Sequence, residues 1–307
     1  MCRPMNVLVI GNGFDLDLGL KTKYSDFADS EQWKKMYQEC AEKSDHYSLM
    51  KYLNDKKKVE SWFDIEALML SYVSTETSKL YVHDINIDRN EYMAISKALK
   101  DYINNELQKS NIGLIQPKTP EKESIRILTR YMNSPKSKIY TFNFTSLVSI
   151  CKRIGIDNTI AQYNYVHGNI EDDTQILGID IKDMSQIISD YSFMIKSNNR
   201  HYRSTDIESD LRIAEEVVVF GHSLNMIDSI YFDDYLKEME KSSRKKRLTI
   251  ITKDEDSKRT ILDNIRMMGI SIPRLYAHSD FDVLFTSPSK DKKRENEERF
   301  NKLINRL

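Results

Sequence analysis

The chain has 307 residues, of which 30% are charged and 40% are apolar, and its formal net charge is −1. This length allows one large buried core, and the near-neutral charge argues against a protein whose main task is to coat nucleic acid. The three cysteines, Cys2, Cys40 and Cys151, are far apart and form no CxxC pair, which excludes a four-cysteine zinc site and argues against a disulfide framework.

The first apolar run, Asn6–Ile10, is rich in β-branched residues and ends at a glycine-rich turn. This pattern is typical of a buried first strand in an α/β sheet. The run is too short for a signal peptide or a membrane span. We therefore expect a reduced, soluble, cytoplasmic protein that does not contact a membrane.

A polar stretch rich in tyrosine and lysine runs from about residue 25 to residue 135, and it contains one glycine, Gly113, and few prolines. Within it, Trp62–Val73 and Tyr92–Leu107 carry apolar residues at three- and four-residue spacing, which predicts amphipathic helices. Pro117 and Pro120 interrupt this region and predict a loop.

After Pro135, short apolar runs alternate with helical patterns. The predicted strands are Ile139–Phe144, Tyr163–His167, Ile176–Ile179, Val217–Phe220 and Leu248–Thr252, with Arg274–His278 as a further candidate. The predicted helices are Arg126–Met132, Leu147–Ile154 and Lys258–Met268. Alternation of this kind predicts a mainly parallel sheet with helices on both faces.

These elements predict a single α/β domain over residues 1–307 with a Rossmann-like core. The core comprises residues 1–30 and 136–285, and a helical insertion, residues 31–135, follows the first strand. The residues from 288 to 307 form an amphipathic terminal helix that either packs on the core or mediates oligomerisation. In open parallel sheets, ligands bind beyond the carboxyl ends of the strands, so the residues at those ends are the candidate site.

The first strand end reads Gly11-Asn12-Gly13-Phe14-Asp15 and is followed by Gly19. It is neither GxGxxG nor a P-loop. Backbone N–H groups at such a turn can nevertheless hold a diphosphate. The simpler interpretation is a tight turn that allows the first helix to start.

Three further strand ends carry polar groups. Asn143 can bind a ribose hydroxyl or a water, or it can end the strand and cap the next helix. His167, followed by Gly168, is suited to acid/base chemistry near neutral pH, although a lone histidine there is more often a hydrogen-bonded core residue. Ser223, in the segment Gly221-His222-Ser223-Leu224 with Asp228 beyond it, can cap a helix or help to hold an anion.

Three segments of the chain stand out as motifs: Val9–Asp15 continued by Gly19–Phe27, then Trp62-Phe-Asp-Ile-Glu66, and finally Phe220-Gly-His-Ser-Leu224 followed by Asp228. They closely resemble motifs of the AbiH family of bacteriophage abortive-infection proteins. The resemblance spans most of the chain. It implies a bacterial phage-defence protein, with a phage-derived trigger and a homo-oligomer as partners to test.

A more distant resemblance is to Sir2-like domains, whose motifs occur here in the same order. The matching residues are Gly11–Gly13, Gly19–Phe27, Thr141-Phe-Asn143, His167-Gly168 and Gly221-His-Ser223. The chain departs from that family at Asn12, where those proteins have alanine, at Phe14 and Asp15, and at Thr145, where they have aspartate. These departures count against NAD as the ligand more than they count against nucleotide binding in general.

The Sir2-like resemblance implies that NAD is the substrate and that a Sir2-like site cleaves it to nicotinamide and ADP-ribose without zinc. His167 is then expected to act on the ribose hydroxyl or the attacking water, Asn143 to orient that water, and Asp15 to orient a ribose or stabilise positive charge. The nucleotide-binding set is then Gly11, Asn12, Gly13, Phe14, Gly168, Gly221, His222, Ser223 and Asp228. Within this set, the first turn is expected to hold the diphosphate and Ser223 to contact the adenosine half.

Three other functions remain open. The first is a non-catalytic nucleotide-binding sensor that signals through a partner. The glycines at the strand ends support this function as well as they support an enzyme. A serine hydrolase that uses Ser223 lacks the closing glycine of GxSxG. A metal-dependent nuclease would use Asp15, Asp17, Asp64 and Glu66.

Asp64 and Glu66 cannot share a helix face. Glu66 suits an inward position, whereas a capping role on a structural helix is the simpler interpretation of this segment. The insertion as a whole is also a candidate sensor of a phage signal that gates the site.

Overall fold

A computed structural model describes residues 5–40, 47–59, 63–74, 84–110, 112, 122–156, 160–180, 187–202, 206–241 and 246–307. Its strands are β1 Asn6–Ile10, β2 Ser137–Thr141, β3 Gln162–Tyr165, β4 Glu216–Phe220, β5 Arg247–Thr252 and β6 Asp280–Phe285. Its α-helices are α1 Asn12–Leu18, α2 Tyr24–Ala28, α3 Glu31–Cys40, α4 Leu49–Val59, α5 Ile65–Val73, α6 Ile85–Lys109, α7 Glu123–Met132, α8 Leu147–Ile154, α9 Ile207–Ile213, α10 Ser229–Lys241, α11 Glu255–Met267, α12 Ile272–His278 and α13 Lys293–Arg306.

The chain divides into two units, each assembled from separate segments. Unit 1 comprises Met1–Leu20, Asn111–Val166 and Arg203–Leu307. Unit 2 comprises Lys21–Ser110 and His167–Tyr202. All six strands belong to unit 1, and the described elements of unit 2 are helical.

Unit 1 is an α/β structure around a six-stranded parallel sheet. The strand order is β3-β2-β1-β4-β5-β6, and every adjacent pair is parallel. β1 lies in the middle of the sheet because its apolar run is suited to burial on both faces, and Val7–Ile10 is fully buried. The prediction of an α/β fold with a mainly parallel sheet is confirmed.

The register places three strand ends level with one another. Ile10, the last residue of β1, lies opposite Thr141 of β2 and Phe220 of β4. Since the strands are parallel, the residues that follow them emerge together at one edge of the sheet. The order in which successive strands are added to the sheet reverses between β1 and β4. β2 and β3 lie to one side of β1, whereas β4, β5 and β6 lie to the other.

Local signals explain where several helices of unit 1 begin and end. The side chain of Ser146 accepts a hydrogen bond from Ser149 N–H and caps α8, and Gly155 ends that helix in the left-handed conformation. Asp254 caps α11 in the same way as Ser146 caps α8. The predicted helices at α7, α8 and α11 are therefore confirmed.

The amphipathic terminal helix α13 packs on unit 1. Phe300 and Leu303 are buried, and the side chain of Asn296 bonds both the N–H and the carbonyl of Phe285 at 2.9 Å. Packing on the core, one of the two predicted roles of this helix, is confirmed.

Unit 2 contains α2–α6 and two short 3₁₀ helices, Ser189–Met194 and Lys196–Asn198. Two buried carboxylates of α6 receive the first N–H groups of α4: Asp88 accepts from Leu49 and Glu91 accepts from Met50, both at 2.8 Å. These bonds satisfy backbone donors that an α-helix leaves unpaired at its start.

Two predicted strands are wrong. Ile176–Ile179 forms no strand, and Ile179 makes only an isolated bridge with Ile195. Arg274–His278 lies within helix α12, which carries Pro273 in its first turn, a position that proline favours. The sixth strand is β6, which follows that helix.

Two strands also end earlier than predicted, because β2 ends at Thr141 rather than Phe144 and β3 ends at Tyr165 rather than His167. Within the described part of the chain, no helix combines the length and the apolar character that crossing a bilayer requires.

Candidate functional site

The first candidate site lies in unit 1, where β1, β2 and β4 end. Gly11 N–H donates to the carbonyl of Phe220 at 2.9 Å, and Phe142 N–H donates to the carbonyl of Ile10 at 2.9 Å. These bonds join the three strand ends directly. Ten predicted site residues belong to unit 1: Gly11, Asn12, Gly13, Phe14, Asp15, Asn143, Gly221, His222, Ser223 and Asp228.

Gly13 and Gly221 approach each other so closely that neither position has room for a side chain. A Cβ atom on Gly13 would lie 2.6 Å from Gly221 Cα, and one on Gly221 would lie 2.4 Å from Phe14 N. Gly221 also has a φ of 65°, which disfavours other residues. The glycines therefore pack the first turn against the turn after β4.

This packing engages several backbone donors of the first turn. Gly13 N–H donates to the carbonyl of Gly221 at 2.8 Å, and Phe14 N–H donates to the carbonyl of Gly11 at 2.9 Å. The N–H of Gly11 is also engaged, because it donates to the carbonyl of Phe220. The tight-turn interpretation is therefore confirmed, whereas diphosphate contact stays a prediction and cannot use these three N–H groups in the present geometry.

The side chains of the first turn point to different surroundings. Asn12 is exposed. Phe14 is fully buried, and its ring meets that of Phe220 edge to face, with centroids 5.4 Å apart. Asn12 is therefore accessible to a ligand, whereas Phe14 contributes to the core.

Asp15 is a buried carboxyl group one turn into α1. Asp15 is only 1% exposed. Its Oδ2 accepts a hydrogen bond from Thr145 Oγ1 at 2.9 Å. Its Oδ1 makes no hydrogen bond within the described part of the chain. Burial raises the pKa of Asp15 to about 7, although hydrogen bonding by Thr145 and Asn143 offsets part of the rise.

Asn143 ties the end of β2 to the end of β1. Its Nδ2 donates to the carbonyl of Gly11 at 3.1 Å, and its backbone N–H donates to Thr141 Oγ1 at 3.1 Å. The alternative that Asn143 caps the next helix is wrong, because Ser146 caps α8. The side chain of Asn143 also lies within hydrogen-bonding reach of the buried carboxyl of Asp15.

His222 and Asp228 form a buried pair in the turn after β4. His222 Nδ1 accepts the N–H of Leu224 at 3.0 Å, and Nε2 lies 3.3 Å from Asp228 Oδ2. Because a backbone N–H can only donate, Nδ1 carries no proton and Nε2–H donates to the carboxylate. The imidazole also packs edge to face against Phe142, with ring centroids 4.4 Å apart.

Ser223 does not cap the following helix, because α10 begins only at Ser229. Its carbonyl accepts a hydrogen bond from Asn264 Nδ2 at 2.9 Å. A nucleophile elbow requires a helix directly after the serine, and this segment is a loop. The serine hydrolase alternative therefore lacks its structural context.

A second candidate site lies in unit 2, which contains the predicted residues His167 and Gly168. Its members are Glu66, His167, Asp180 and Lys196, which we call the Lys196 cluster. Lys196 Nζ lies 3.1 Å from Glu66 Oε1 and 3.2 Å from His167 Nδ1. His167 Nε2 lies 3.3 Å from Asp180 Oδ2. His167 is therefore part of a buried charged network.

The segment around His167 is held in a tight loop. The carbonyl of His167 accepts Ile176 N–H at 2.8 Å. Gly168 has a φ of 70°, and a Cβ there would lie 2.0 Å from the carbonyl oxygen of Thr174. A contact of Gly168 with nucleotide stays a prediction.

The carboxylates of the nuclease alternative have structural partners. Asp64 caps α5 by accepting from the N–H groups of Glu66 and Ala67, which confirms the capping interpretation. Asp17 Oδ2 accepts Ser124 N–H at 3.1 Å, and Glu66 belongs to the Lys196 cluster. Trp62, the first residue of this AbiH-like segment, lies outside the described residues.

Sequence patterns did not identify Lys196 or Asp180 as site residues. Lys196 lies in a polar stretch without a motif. Asp180 follows Gly178-Ile179, which formed part of an erroneously predicted strand. A lysine of no exposure is unusual for that residue type, but burial is visible only in the structure.

Taken together, the sheet and its strand-end residues define an α/β protein with polar groups gathered where the central strands end. The family model described as bacteriophage abortive infection AbiH matches residues 7–251. The chain therefore belongs to the AbiH family. No curated protein matches the chain.

Proposed function

We propose that this protein acts in phage abortive infection by cleaving the nicotinamide–ribose bond of NAD at a Sir2-like site. Membership of the AbiH family supports the biological role. The strand order of unit 1, with its reversal at β1 and β4, is that of Rossmann dinucleotide-binding sheets. The observation that carries the proposal is the buried carboxyl of Asp15 beside Asn143 at this reversal.

The proposed reaction converts NAD and water to nicotinamide, ADP-ribose and a proton. The bond between the ribose C1′ and the pyridinium nitrogen breaks, and its electron pair neutralises the pyridinium. Water attacks C1′ through an oxocarbenium-like state similar to that of glycoside cleavage. The leaving group needs no general acid, so positioning and stabilisation of positive charge are the main demands.

Asp15 is suited to stabilising the positive charge that develops on the ribose. Burial makes its ionisation costly in the free protein, and a developing cation nearby would favour its charged form. In this proposal, Asn143 orients the attacking water, and His167 keeps the role that the Sir2-like resemblance implies. No zinc takes part.

The nucleotide-binding set retains its predicted roles within this proposal. Ser223 contacts the adenosine half, and the first turn lies beside the diphosphate. Three N–H groups of that turn are engaged internally, and the side chain of Asn12 is exposed. Gly168, Gly221, His222 and Asp228 remain members of the predicted nucleotide-binding set.

The test is a time course of NAD loss with the purified full-length protein, with nicotinamide and ADP-ribose quantified as products. We expect wild type to consume NAD and His167→Ala and Asn143→Ala to lose the activity while remaining folded. The matched controls are His278→Ala and Asn90→Ala, since both residues are exposed. Full activity in either site variant would overturn its assignment.

A second arm adds extract from phage-infected cells, because abortive infection can require a phage-derived trigger. NAD loss only in this arm supports a triggered enzyme. Nucleotide binding without turnover in both arms replaces the proposal with the sensor alternative. Binding is measured by calorimetry with NAD and with ADP-ribose.

A further inference from the structure

The Lys196 cluster contains a fully buried cation. Lys196 has no exposure, and His167 and Asp180 are each 4% exposed. The ammonium contacts Glu66 Oε1 at 3.1 Å and Oε2 at 3.2 Å, and it lies 3.9 Å from Asp180 Oδ2. One ammonium, one imidazole and two carboxylates are thus collected inside unit 2.

Stability alone is a weak reason for such a cluster. The desolvation of buried ions offsets most of their attraction, and apolar replacements of similar volume are often neutral or stabilising. Buried charges arranged around a histidine are more typical of functional sites. The cluster also gives a role to Glu66, the last residue of the Trp62–Glu66 segment that resembles an AbiH motif.

The position of the ammonium relative to the imidazole is informative. Lys196 Nζ lies 3.2 Å from Nδ1 and 3.3 Å from Nε2 of His167. The lone-pair directions of the two ring nitrogens diverge, so an atom equally distant from both cannot align with either. Lys196 therefore acts on His167 mainly through its charge and by restricting the ring, while Nε2 is directed to Asp180.

Glu66 holds the ammonium in place. Its Oε1 also accepts Gly178 N–H at 3.1 Å, so the carboxylate is fixed both by α5 and by the loop that precedes Asp180. The lysine side chain would otherwise have many rotamers. Glu66 thus restricts Lys196, and Lys196 restricts the ring of His167.

We propose that Lys196 and Glu66 are positioning residues for His167, restricting its imidazole and keeping it oriented toward Asp180. The ammonium lies against both ring nitrogens, and Asp180 fixes the ring by accepting from Nε2. The effect of these residues on kcat rests on the proposed NAD cleavage, whereas the orientation of His167 is independent of that proposed function.

The test compares Lys196→Gln, Glu66→Gln and the double variant, in which two amides replace the ion pair with little change in shape. Each single variant removes one member of the buried Lys196–Glu66 ion pair and is expected to lose stability, whereas the double variant is expected to recover it. The double variant should still show kcat lowered about tenfold or more, with KM changed less than about twofold. The matched control is an ion pair of unit 2 outside the cluster, in which Lys100 is half-buried and Asp173 exposed, changed by Lys100→Gln and Asp173→Asn.

The second readout is the NMR signal of the His167 ring in protein labelled at its six histidines, assigned with His167→Gln. We expect the ring nitrogen shifts of His167 to change in the double variant and to remain unchanged in the Lys100/Asp173 control. A stable double variant with wild-type kcat and unchanged His167 shifts would overturn the proposal.

The two readouts separate this inference from the proposed function. If wild type cleaves no NAD in either arm, the proposed function fails and the ring shifts alone decide the inference. Altered shifts then uphold the positioning of His167, whereas unaltered shifts refute it. A double variant that remains unfolded is replaced by Lys196→Met with Glu66→Leu, judged by the same measurements.

Discussion

Gly13 and Gly221 are joined by a hydrogen bond of 2.8 Å from the N–H of Gly13 to the carbonyl of Gly221, and their backbones touch. This contact links the turn after β1 to the turn after β4. It sets the position of α1, and therefore of the buried carboxyl of Asp15. The importance of this contact is testable by substituting alanine for Gly221, which adds one methyl group.

Gly221→Ala is expected to lower the free energy of unfolding by about 3 kcal/mol or more, because strained backbone and steric overlap act together. The control is Gly269→Ala, where φ is 79° and no atom lies within 4 Å of the added Cβ. That variant isolates the backbone term, which is about 1–2 kcal/mol. Urea denaturation measures both, and equal losses would show that the contact with Gly13 is unimportant.

Asp15 makes the stability of unit 1 depend on pH. Its pKa is raised from 3.8 to about 7, so between these values the folded state binds more protons than the unfolded chain. Stability therefore decreases as pH rises through this interval, and the cost is complete above it. Asp15→Asn removes this titration.

The stability of Asp15→Asn relative to wild type should increase by roughly 4 kcal/mol from the acid to the alkaline end of that interval. Chemical denaturation at several pH values measures the difference. Asp263→Asn, at an exposed position, is the control. A difference that does not change with pH would show that Asp15 ionises normally.

His222 depends on Asp228 for the acceptor of its Nε2–H. Asp228→Ala is expected to lower the free energy of unfolding by about 2 kcal/mol, because it leaves a buried donor unpaired. Asp228→Asn keeps an acceptor oxygen and should lose less. Thermal denaturation ranks the variants, and equal losses would contradict the assigned proton position.

Asp64 is an N-cap, so Asp64→Ala should destabilise the protein by about 1 kcal/mol. The matched variant is Asp84→Ala, because Asp84 caps α6 through the same pair of bonds, to the second and third N–H groups. Similar losses in urea denaturation confirm equivalent roles. A much larger loss at Asp64 would assign it a role beyond capping.

Helix α13 is held by Phe300, which is fully buried. Phe300→Ala should lower the free energy of unfolding by about 3–5 kcal/mol, whereas Lys302→Ala, at an exposed position on the same helix, should have little effect. Denaturation followed by circular dichroism measures both. Similar stability in the two variants would show that the helix contributes little.

The central strands were predictable because their residues are apolar on both faces. β1 and β4 are continuous apolar runs, as burial on both faces requires. β6 lies at the edge of the sheet, and its first four residues alternate instead: Phe281 and Val283 are buried, whereas Asp280 is exposed and Asp282 half-buried. That period of two was present in the sequence, but the neighbouring run Arg274–His278 was preferred to it.

The strand-end residues of unit 1 were predictable for the same reason, since parallel strands bring their carboxyl ends together. Which partner each side chain contacts was not. Ser146 rather than Asn143 caps α8, and two adjacent polar residues cannot be separated by propensity alone. The Lys196 cluster was also beyond prediction, since its lysine and glutamate are 130 residues apart and no local pattern links them.

The segmented arrangement of the chain has a consequence for biosynthesis. The chain enters unit 2 at Lys21, leaves it, and returns at His167, so a ribosome that has made Glu66 must add 130 more residues before Lys196 exists. A nascent or prematurely terminated chain that stops between His167 and Lys196 contains Glu66 and His167 without their shared cation. The charged cluster of unit 2 is thus absent until residue 196 of the 307 has been added, and products that end before that residue lack it altogether.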